Sequence, residues 1–256
     1  MTTNYLDFPT VHVLWTGGFD SSFRLVQLSK YQVNVQPYYV KDNRLCEANE
    51  LAAIAGIYKD IESNLETQCR LHPLKIYQVS EIEEDVRITE SFKRLRAETG
   101  LGTQYDWLAR LAKQIPGLEL GLEKANSSIA RKCIDKFGKV KKVTEGDISF
   151  CILDREHSSK DLINVFGQFH FPLPLFEKTK LEILQEYKKL GYEQTIRKTW
   201  FCHRPINNEP CGFCNPCVST MQEGMGFRLS AEGRKRYKYR LFYRTKSRLL
   251  GAAKRF

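Results

Sequence analysis

The strongest constraint on this chain lies in Val11-His12-Val13-Leu14-Trp15-Thr16-Gly17-Gly18-Phe19-Asp20-Ser21-Ser22-Phe23. An apolar run ends in two glycines. An acid and two hydroxyls follow, and then an apolar-periodic stretch through Phe23, Leu25, Val26 and Leu28. The pattern predicts a buried strand, a tight turn and a helix start. Gly17 and Gly18 permit positive φ and close approach of a ligand to the backbone. The first N–H groups of the helix then face the turn, where the helix dipole favours an anion such as phosphate. Ser21 and Ser22 add hydroxyl donors. Asp20 either holds a Mg²⁺ that bridges phosphates or caps the helix. The plain alternative is an ordinary Gly-Gly turn capped by Asp or Ser.

The Walker A spacing and its lysine are absent, and so is the G-x-G-x-x-G fingerprint. The stretch instead resembles the S-G-G-x-D-S loop of the PP-loop ATP pyrophosphatases, with Thr16 keeping the hydroxyl of the first Ser. The resemblance implies ATP bound by Thr16, Gly17, Gly18, Phe19, Asp20, Ser21 and Ser22, with Tyr39 from the next strand. It also implies cleavage between the α and β phosphates, leaving AMP on a substrate atom.

Along the chain, residues 11–15, 33–40, 74–79 and 118–122 read as strands. Residues 21–30, 46–66, 81–98, 103–115, 126–137 and 179–190 read as helices. In the second helix Leu51, Ile54, Ala55, Tyr58, Ile61 and Leu65 share one predicted face. Residues 139–168 are ambiguous: Phe150-Cys151-Ile152-Leu153 reads as a strand and Asp154 to Asp161 as a polar loop. The prolines keep 171–175 out of a helix interior. Alternating strands and helices predict an α/β fold with a mostly parallel sheet and ligands at the carboxyl ends of its strands. The Gly17-Gly18 turn falls at such an end.

Eight cysteines occur. Cys46, Cys69, Cys133 and Cys151 are scattered and predicted to pack as small buried residues. Cys202, Cys211, Cys214 and Cys217 follow C-x8-C-x2-C-x2-C, a spacing that can close a tetrahedral thiolate site. Gly212 frees the backbone N–H groups to face sulfur. Four protein ligands leave no open position, so a zinc there is structural. An iron–sulfur cluster takes the same four ligands. A redox C-x-x-C belongs at a βαβ start, and this one lies late in a loop.

The loop near the N-terminus and the cysteines near the C-terminus together resemble the QueC family, the 7-cyano-7-deazaguanine synthases. A third match is Pro174-Leu175-Phe176-Glu177-Lys178-Thr179-Lys180-Leu181-Glu182, which fits the family's P-L-x4-K-x-E. Lys180 falls at the family's lysine, where its ammonium meets phosphates or pyrophosphate. Read alone, it is a surface lysine. The resemblance spans about residues 10–227 in order of elements. It implies a Rossmann-like, adenine-nucleotide α-hydrolase-like sheet with helices on both faces, a structural zinc, and Mg²⁺ and ATP as cofactors. The implied reaction adenylates 7-carboxy-7-deazaguanine, takes ammonia to an amide, and dehydrates it to the nitrile with a second ATP. Asp20 and Lys180 are the implied catalytic pair.

Two segments depart from that family. The H-R-A-E segment after strand two is absent from Tyr39 to Glu47. The G-R-N-x-x-F-L segment becomes Gly102-Thr103-Gln104-Tyr105-Asp106-Trp107-Leu108, which lacks the arginine. Gln104 can read a base edge, and Tyr105 or Trp107 can stack on it. Core packing is the plain role for Trp107. A variant reading therefore passes the activated deazaguanine to an amine of a protein or nucleic acid. Other readings are a different PP-loop tRNA-modifying enzyme or a non-catalytic nucleotide- or nucleic-acid-binding module.

Formal net charge is +10, and residues 228–256 hold eleven Lys or Arg against one Glu. The basic balance thus belongs to the C-terminal stretch. The expected organisation is an ATP-binding domain at 1–195, a four-cysteine zinc-binding region at 196–227 and a basic, aromatic tail at 228–256. In the tail, Tyr237 to Arg244 alternates aromatic and basic. It reads as a strand suited to nucleic acid or an acidic protein, or as a solvated terminus. Besides ATP and a deazapurine substrate, a homodimer is expected. No transmembrane run or export signal is evident, so the expected location is cytoplasmic.

Overall fold

The computed structural model describes residues 8–125 and 128–245. The expected helix start at 126–127 and the tail residues 246–256 lie outside the described residues. The chain is α/β with a parallel sheet. Strand β1 (Thr10–Leu14) leads into helix α1 (Phe19–Leu28), and β2 (Asn34–Lys41) pairs parallel to β1, with Leu14 opposite Tyr38. Helix α2 (Glu47–Glu62) returns the chain to β3 (Arg70–Leu71) and β4 (Lys75–Gln78), which pair in succession along the far side of β2. The predicted strand at 118–122 survives as a short ladder. Glu119 N–H donates to His12 O (2.7 Å) and Leu14 N–H to Glu119 O (3.1 Å). On its other side, Leu120 N–H donates to His170 O (2.9 Å).

Helices α3 (Val86–Thr99), α4 (Gln104–Gln114) and α5 (Ile129–Phe137) follow β4. The predicted helix at 81–98 starts later than its composition implies. A single 3₁₀ turn closes at Glu81, and Asp85 then caps α3 by accepting from Arg87 and Ile88 N–H. The ambiguous stretch resolves into an antiparallel hairpin, β5 (Lys139–Glu145) and β6 (Ile148–Asp154), followed by α6 (Lys160–Phe166). β7 (Phe171–Pro172) pairs antiparallel with β6. Glu119, bridged to Val13 on one side and His170 on the other, joins the parallel sheet to this hairpin. Helix α7 (Lys180–Lys189) opens with a Thr179/Glu182 capping box, and α8 (Glu193–Ile196), α9 (Asn215–Gln222) and α10 (Ala231–Lys238) follow it.

Strand alternation sends neighbouring residues into two cores. Leu14, Tyr38 and Val40 pack with α3 to α6, whereas Val13, Trp15, Val35 and Tyr39 pack with α1, α2 and α7. The buried face of α2 is Glu50, Ala53, Ile54, Ile57 and Ile61. This differs from the predicted face: Ala55 is exposed, and Leu65 lies beyond the helix in solvent.

A buried ion pair crosses this junction. Arg24 of α1 donates from Nε to Glu119 Oε2 (2.7 Å) and from Nη2 to Oε1 (2.5 Å), with both side chains nearly inaccessible. Nη1 donates to Gln27 Oε1 (2.8 Å), and Gln27 in turn donates to Leu173 O (3.1 Å). Removing one partner leaves a buried charge unpaired. Glu119→Ala should therefore cost about 3–5 kcal/mol in urea denaturation, and the Arg24→Met/Glu119→Leu double variant should recover most of it. A double variant as unstable as the single one would show that the loss is not one of uncompensated charge.

Candidate functional site

The loop between β1 and α1 has the predicted turn. Gly17 takes φ +67°, and a Cβ there would lie 2.8 Å from Glu50 O, so only glycine fits. Gly18 departs from expectation: it is extended, with φ −74° and ψ 168°, and serves as the N-cap of α1 without any side-chain cap. Trp15 Nε1 donates to Ser22 Oγ (2.9 Å), and Thr16 lies beside Ser21, with Oγ1 to Oγ at 3.5 Å. Trp200 N–H donates to Gly17 O (2.8 Å), which ties the loop to the segment that enters the cysteine cluster.

Asp20 is the second residue of α1. Its Oδ1 is enclosed and bonds to no atom of the described residues. Burial and the neighbouring Glu123 carboxylate raise its pKa well above the usual carboxylate range, against the opposing pull of Lys180 and Arg228. Lys180, the first residue of α7, places Nζ 3.3 Å from Glu123 Oε1 and 3.0 Å from Glu223 Oε2. Burial acts to lower its pKa, but Asp20, Glu123 and Glu223 outweigh that and hold the ammonium protonated. Three carboxylates and a cation thus converge beside the turn. Such an unpartnered carboxylate oxygen, with further oxygens at hand, suits a hard divalent cation such as Mg²⁺.

A cleft of about 180 Å³ opens where β1, β2 and the 118–120 ladder end at their carboxyl sides. Thr16, Gly18, Asp20 and Ser21 form one wall, and Gln104, Tyr105 and Trp107 from the start of α4 form another. Gly121 allows close approach here, since a Cβ would come within 3.4 Å of Ser21 N. Arg44 lines the same cleft. Its Nε donates to Asp42 Oδ1 (2.6 Å), and its Nη1 lies 3.5 Å from Glu50 Oε1. Trp107 is half-buried: it packs against the core, the plain role expected for it, and also lines the cleft.

Not every expected residue reaches this cleft. Tyr39 points to the opposite face of β2, fully buried, and its hydroxyl donates to Glu50 Oε2 (2.7 Å). Val40 takes the cleft side in its place. Phe19 and Ser22 are buried below the turn, and Gly17 contributes only its backbone conformation. Lys180 lines a separate hollow of about 500 Å³ with Lys124, Thr179 and Glu223. Reasoning from sequence missed Arg44, Glu123, Glu223 and Arg228. None stands in a spacing that signals a site.

The four clustered cysteines meet as predicted. Their sulfurs all lie within 4.8 Å of one another, with Cys211–Cys217 at 3.9 Å and Cys202–Cys214 at 3.8 Å. A tetrahedron with Zn–S bonds of about 2.3 Å has S–S edges of about 3.8 Å, so the donor set could hold a metal such as zinc. Backbone N–H groups of Phe213 and Cys214 donate to Cys211 Sγ at 3.4 and 3.3 Å. The scattered Cys46, Cys69, Cys133 and Cys151 are buried thiols, as expected.

The predicted C-terminal strand is corrected to helix. Residues 231–238 and 240–245 are helical, and Gly233, Arg236, Tyr237, Arg240, Tyr243 and Arg244 form the inward face at helical spacing. Arg236 Nε donates to Cys211 O (2.9 Å), Arg244 Nε to Phe213 O (2.7 Å), and Tyr243 stacks on Phe213 with ring centroids 5.8 Å apart. Gly212 (φ +84°) packs directly against Gly233. Residues 231–245 therefore belong to the cysteine module. Lys235, Lys238, Tyr239, Leu241 and Phe242 stay exposed on its outer side.

No family model and no curated protein matches this chain. Among the described residues, no helix is long and apolar enough to cross a membrane.

Two measurements check this geometry. Elemental analysis of the purified protein should find one zinc per chain. Cys217→Ser should lose most of it, and Cys69→Ser should keep it. Metal removal should cost at least about 2 kcal/mol, a fall in Tm of roughly 4–8 °C. The second measurement concerns Asp20. Its raised pKa means that the ligand-free folded chain keeps a proton which the unfolded chain releases above about pH 4. The folded state is favoured below that pH and loses this advantage as pH rises toward the raised pKa. Asp20→Asn removes the titration, so its Tm should gain on the wild type between about pH 5 and about pH 8. An equal Tm difference at both pH values would contradict the assignment.

Proposed function

We propose that this chain is a QueC-like, ATP-dependent enzyme. It adenylates 7-carboxy-7-deazaguanine, or a related deazapurine carboxylate, and forms an amide and then a nitrile. The observation that carries the reading is the shared cleft. Thr16, Gly18, Asp20 and Ser21 face Gln104, Tyr105 and Trp107 across about 180 Å³ at the carboxyl ends of parallel strands. In this reading the turn binds phosphate, the facing wall reads the base, and the one cleft serves both. In this proposal the sheet is of the adenine-nucleotide α-hydrolase type and the cysteines hold a structural zinc. The eight unpaired thiols suit a reducing cytoplasm.

The chemistry follows from the residues. A carboxylate is a poor electrophile until its oxygen becomes part of a better leaving group. Its oxygen attacks the α-phosphorus of ATP, the bond from that phosphorus to the bridging oxygen breaks, and pyrophosphate leaves. Ammonia then adds to the acyl carbon and AMP departs, giving the amide and a proton. A second ATP activates the amide oxygen in the same way, and loss of AMP and a proton leaves the nitrile. Mg²⁺ held at Asp20 and Glu123 would neutralise phosphate charge. The N–H groups at the start of α1 bind phosphate oxygens, and the Lys180 ammonium offsets charge on the departing pyrophosphate. Gln104 reads a base edge, and Tyr105 or Trp107 stacks on the ring. In this reading Arg44, on the cleft wall and paired with Asp42 and Glu50, supplies the cation that segment 102–108 lacks by exchanging part of that pairing for the substrate carboxylate.

Mass spectrometry of products tests this directly. Zinc-loaded protein with ATP, Mg²⁺, 7-carboxy-7-deazaguanine and ammonia should give AMP together with the amide or nitrile. Asp20→Asn should lower pyrophosphate release by at least about 100-fold. Release at the wild-type rate in that variant would remove the loop from the mechanism. An adenylate that ammonia does not turn over would move the reading to another amine acceptor.

A further inference from the structure

By sequence Arg228 belongs to the basic C-terminal stretch, yet its side chain turns into the protein beside the phosphate turn. It ends the 3₁₀ turn Gly226–Arg228 that follows α9. Nη2 donates to Thr199 Oγ1 (2.7 Å) and Thr199 O (3.3 Å). The guanidinium lies 4.4 Å from the Phe201 ring centroid and 5.3 Å from that of Phe19, the first residue of α1. Its anchor is tied to the turn itself, because the residue after Thr199 is Trp200, whose N–H donates to Gly17 O. The distance between Arg228 and the turn is therefore built into the backbone.

Two enclosed atoms here lack partners among the described residues. They are Arg228 Nε, a donor, and Asp20 Oδ1, an acceptor. The two side chains attract each other electrostatically, and still these atoms do not bond. A buried donor without an acceptor is costly, and so is a buried acceptor without a donor. A cation bound to an anion resolves both at once, with the cation on Oδ1 and an anionic oxygen on Nε–H. Burial lowers the Arg228 pKa to about 10 although Asp20, Tyr187 and Glu223 raise it, so the group stays charged at neutral pH. Its planar fork suits the paired oxygens of a phosphoryl group better than an ammonium does.

We propose that Arg228 is a ligand for the magnesium-bound pyrophosphate end of a nucleoside triphosphate, closing the phosphate site from the cysteine-bearing part of the chain. The proposal rests on the ATP reading of the turn. A pyrophosphate oxygen at this site would satisfy Nε–H, and AMP, which lacks those oxygens, would not reach it.

Calorimetric titration of the full zinc-loaded chain with Mg-pyrophosphate, Mg-ATP and AMP tests the assignment. Arg228→Lys should weaken pyrophosphate and ATP by about 10- to 100-fold, the size of a lost charge-assisted hydrogen bond, and leave AMP within about 2-fold. Thr199→Val keeps the guanidinium and its bond to the Thr199 carbonyl but removes the hydroxyl that anchors it, and should give a smaller loss of the same selectivity. Pyrophosphate affinity unchanged in Arg228→Lys would overturn the proposal, as would equal weakening of AMP and pyrophosphate. If ATP binds and does not respond to Arg228→Lys, the ATP reading stands without this ligand. If pyrophosphate binds, depends on Arg228, and ATP does not bind, the anion site stands and the ATP reading falls.

Discussion

The Arg24–Glu119 pair is the interaction on which the rest of the molecule depends. Glu119 does two jobs through different atoms. Its backbone bridges Val13 and His170, and so joins the parallel sheet to the β5–β6–β7 hairpin. Its carboxylate accepts both forks of Arg24 from α1. The helix that follows the Gly17–Gly18 turn is thereby fixed against the short 118–120 ladder that leads to Gly121 and Leu122 on the cleft. Bidentate geometry leaves little freedom to rotate, and neither group has water to turn to. Such a pair adds less stability than its Coulomb energy implies, since both charges are desolvated. What it contributes is orientation, because any other placement of α1 strands a charge.

A second fixed point lies at Gly17. On one side its positive φ lets the chain pass against Glu50 of α2. On the other its carbonyl accepts from Trp200, whose indole Nε1 donates to Cys202 O (2.8 Å). Three distant parts of the sequence thus share one turn. The cysteine module is held in its own right by Arg236 and Arg244, which bind the carbonyls of its loop, and by the Phe213–Tyr243 stack. A metal among the four thiolates would stiffen the segment that buttresses the turn, although it lies outside the cleft.

The charges beside the turn follow the same logic. Lys180 is held by Glu123 and Glu223, and Arg228 by Thr199 and two aromatic rings. Each cation is held in place by groups of the chain itself, Arg228 more deeply than Lys180, which lines an open hollow. Preorganised charge of this sort needs no rearrangement when negative charge develops, which is why it is effective in catalysis. Burial and the adjoining Glu123 carboxyl raise the Asp20 pKa, and Oδ1 is left without a partner among the described residues.

The sequence by itself determined the parts that depend on local geometry. The glycine turn, the cap of α7 at Thr179 and the thiolate spacing from Cys202 to Cys217 are set by neighbours a few residues apart, where φ preferences, capping and ligand reach are decided. The α/β alternation was legible for the same reason, whereas the meeting of the turn with Gln104, Tyr105 and Trp107, distant in sequence, came only with folding. Only the tertiary structure decided which face each element shows. Alternation along β2 was readable, but packing sent Tyr39 into one core and Val40 to the cleft. The aromatic and basic alternation of 237–244 mimicked a strand, and contact with the cysteine loop selected a helix whose buried residues recur at three and four. Arg44, Glu123, Glu223 and Arg228 carry no local signature at all. They converge from points up to about two hundred residues apart, and a charge becomes part of a site only when folding removes its water and sets its partners.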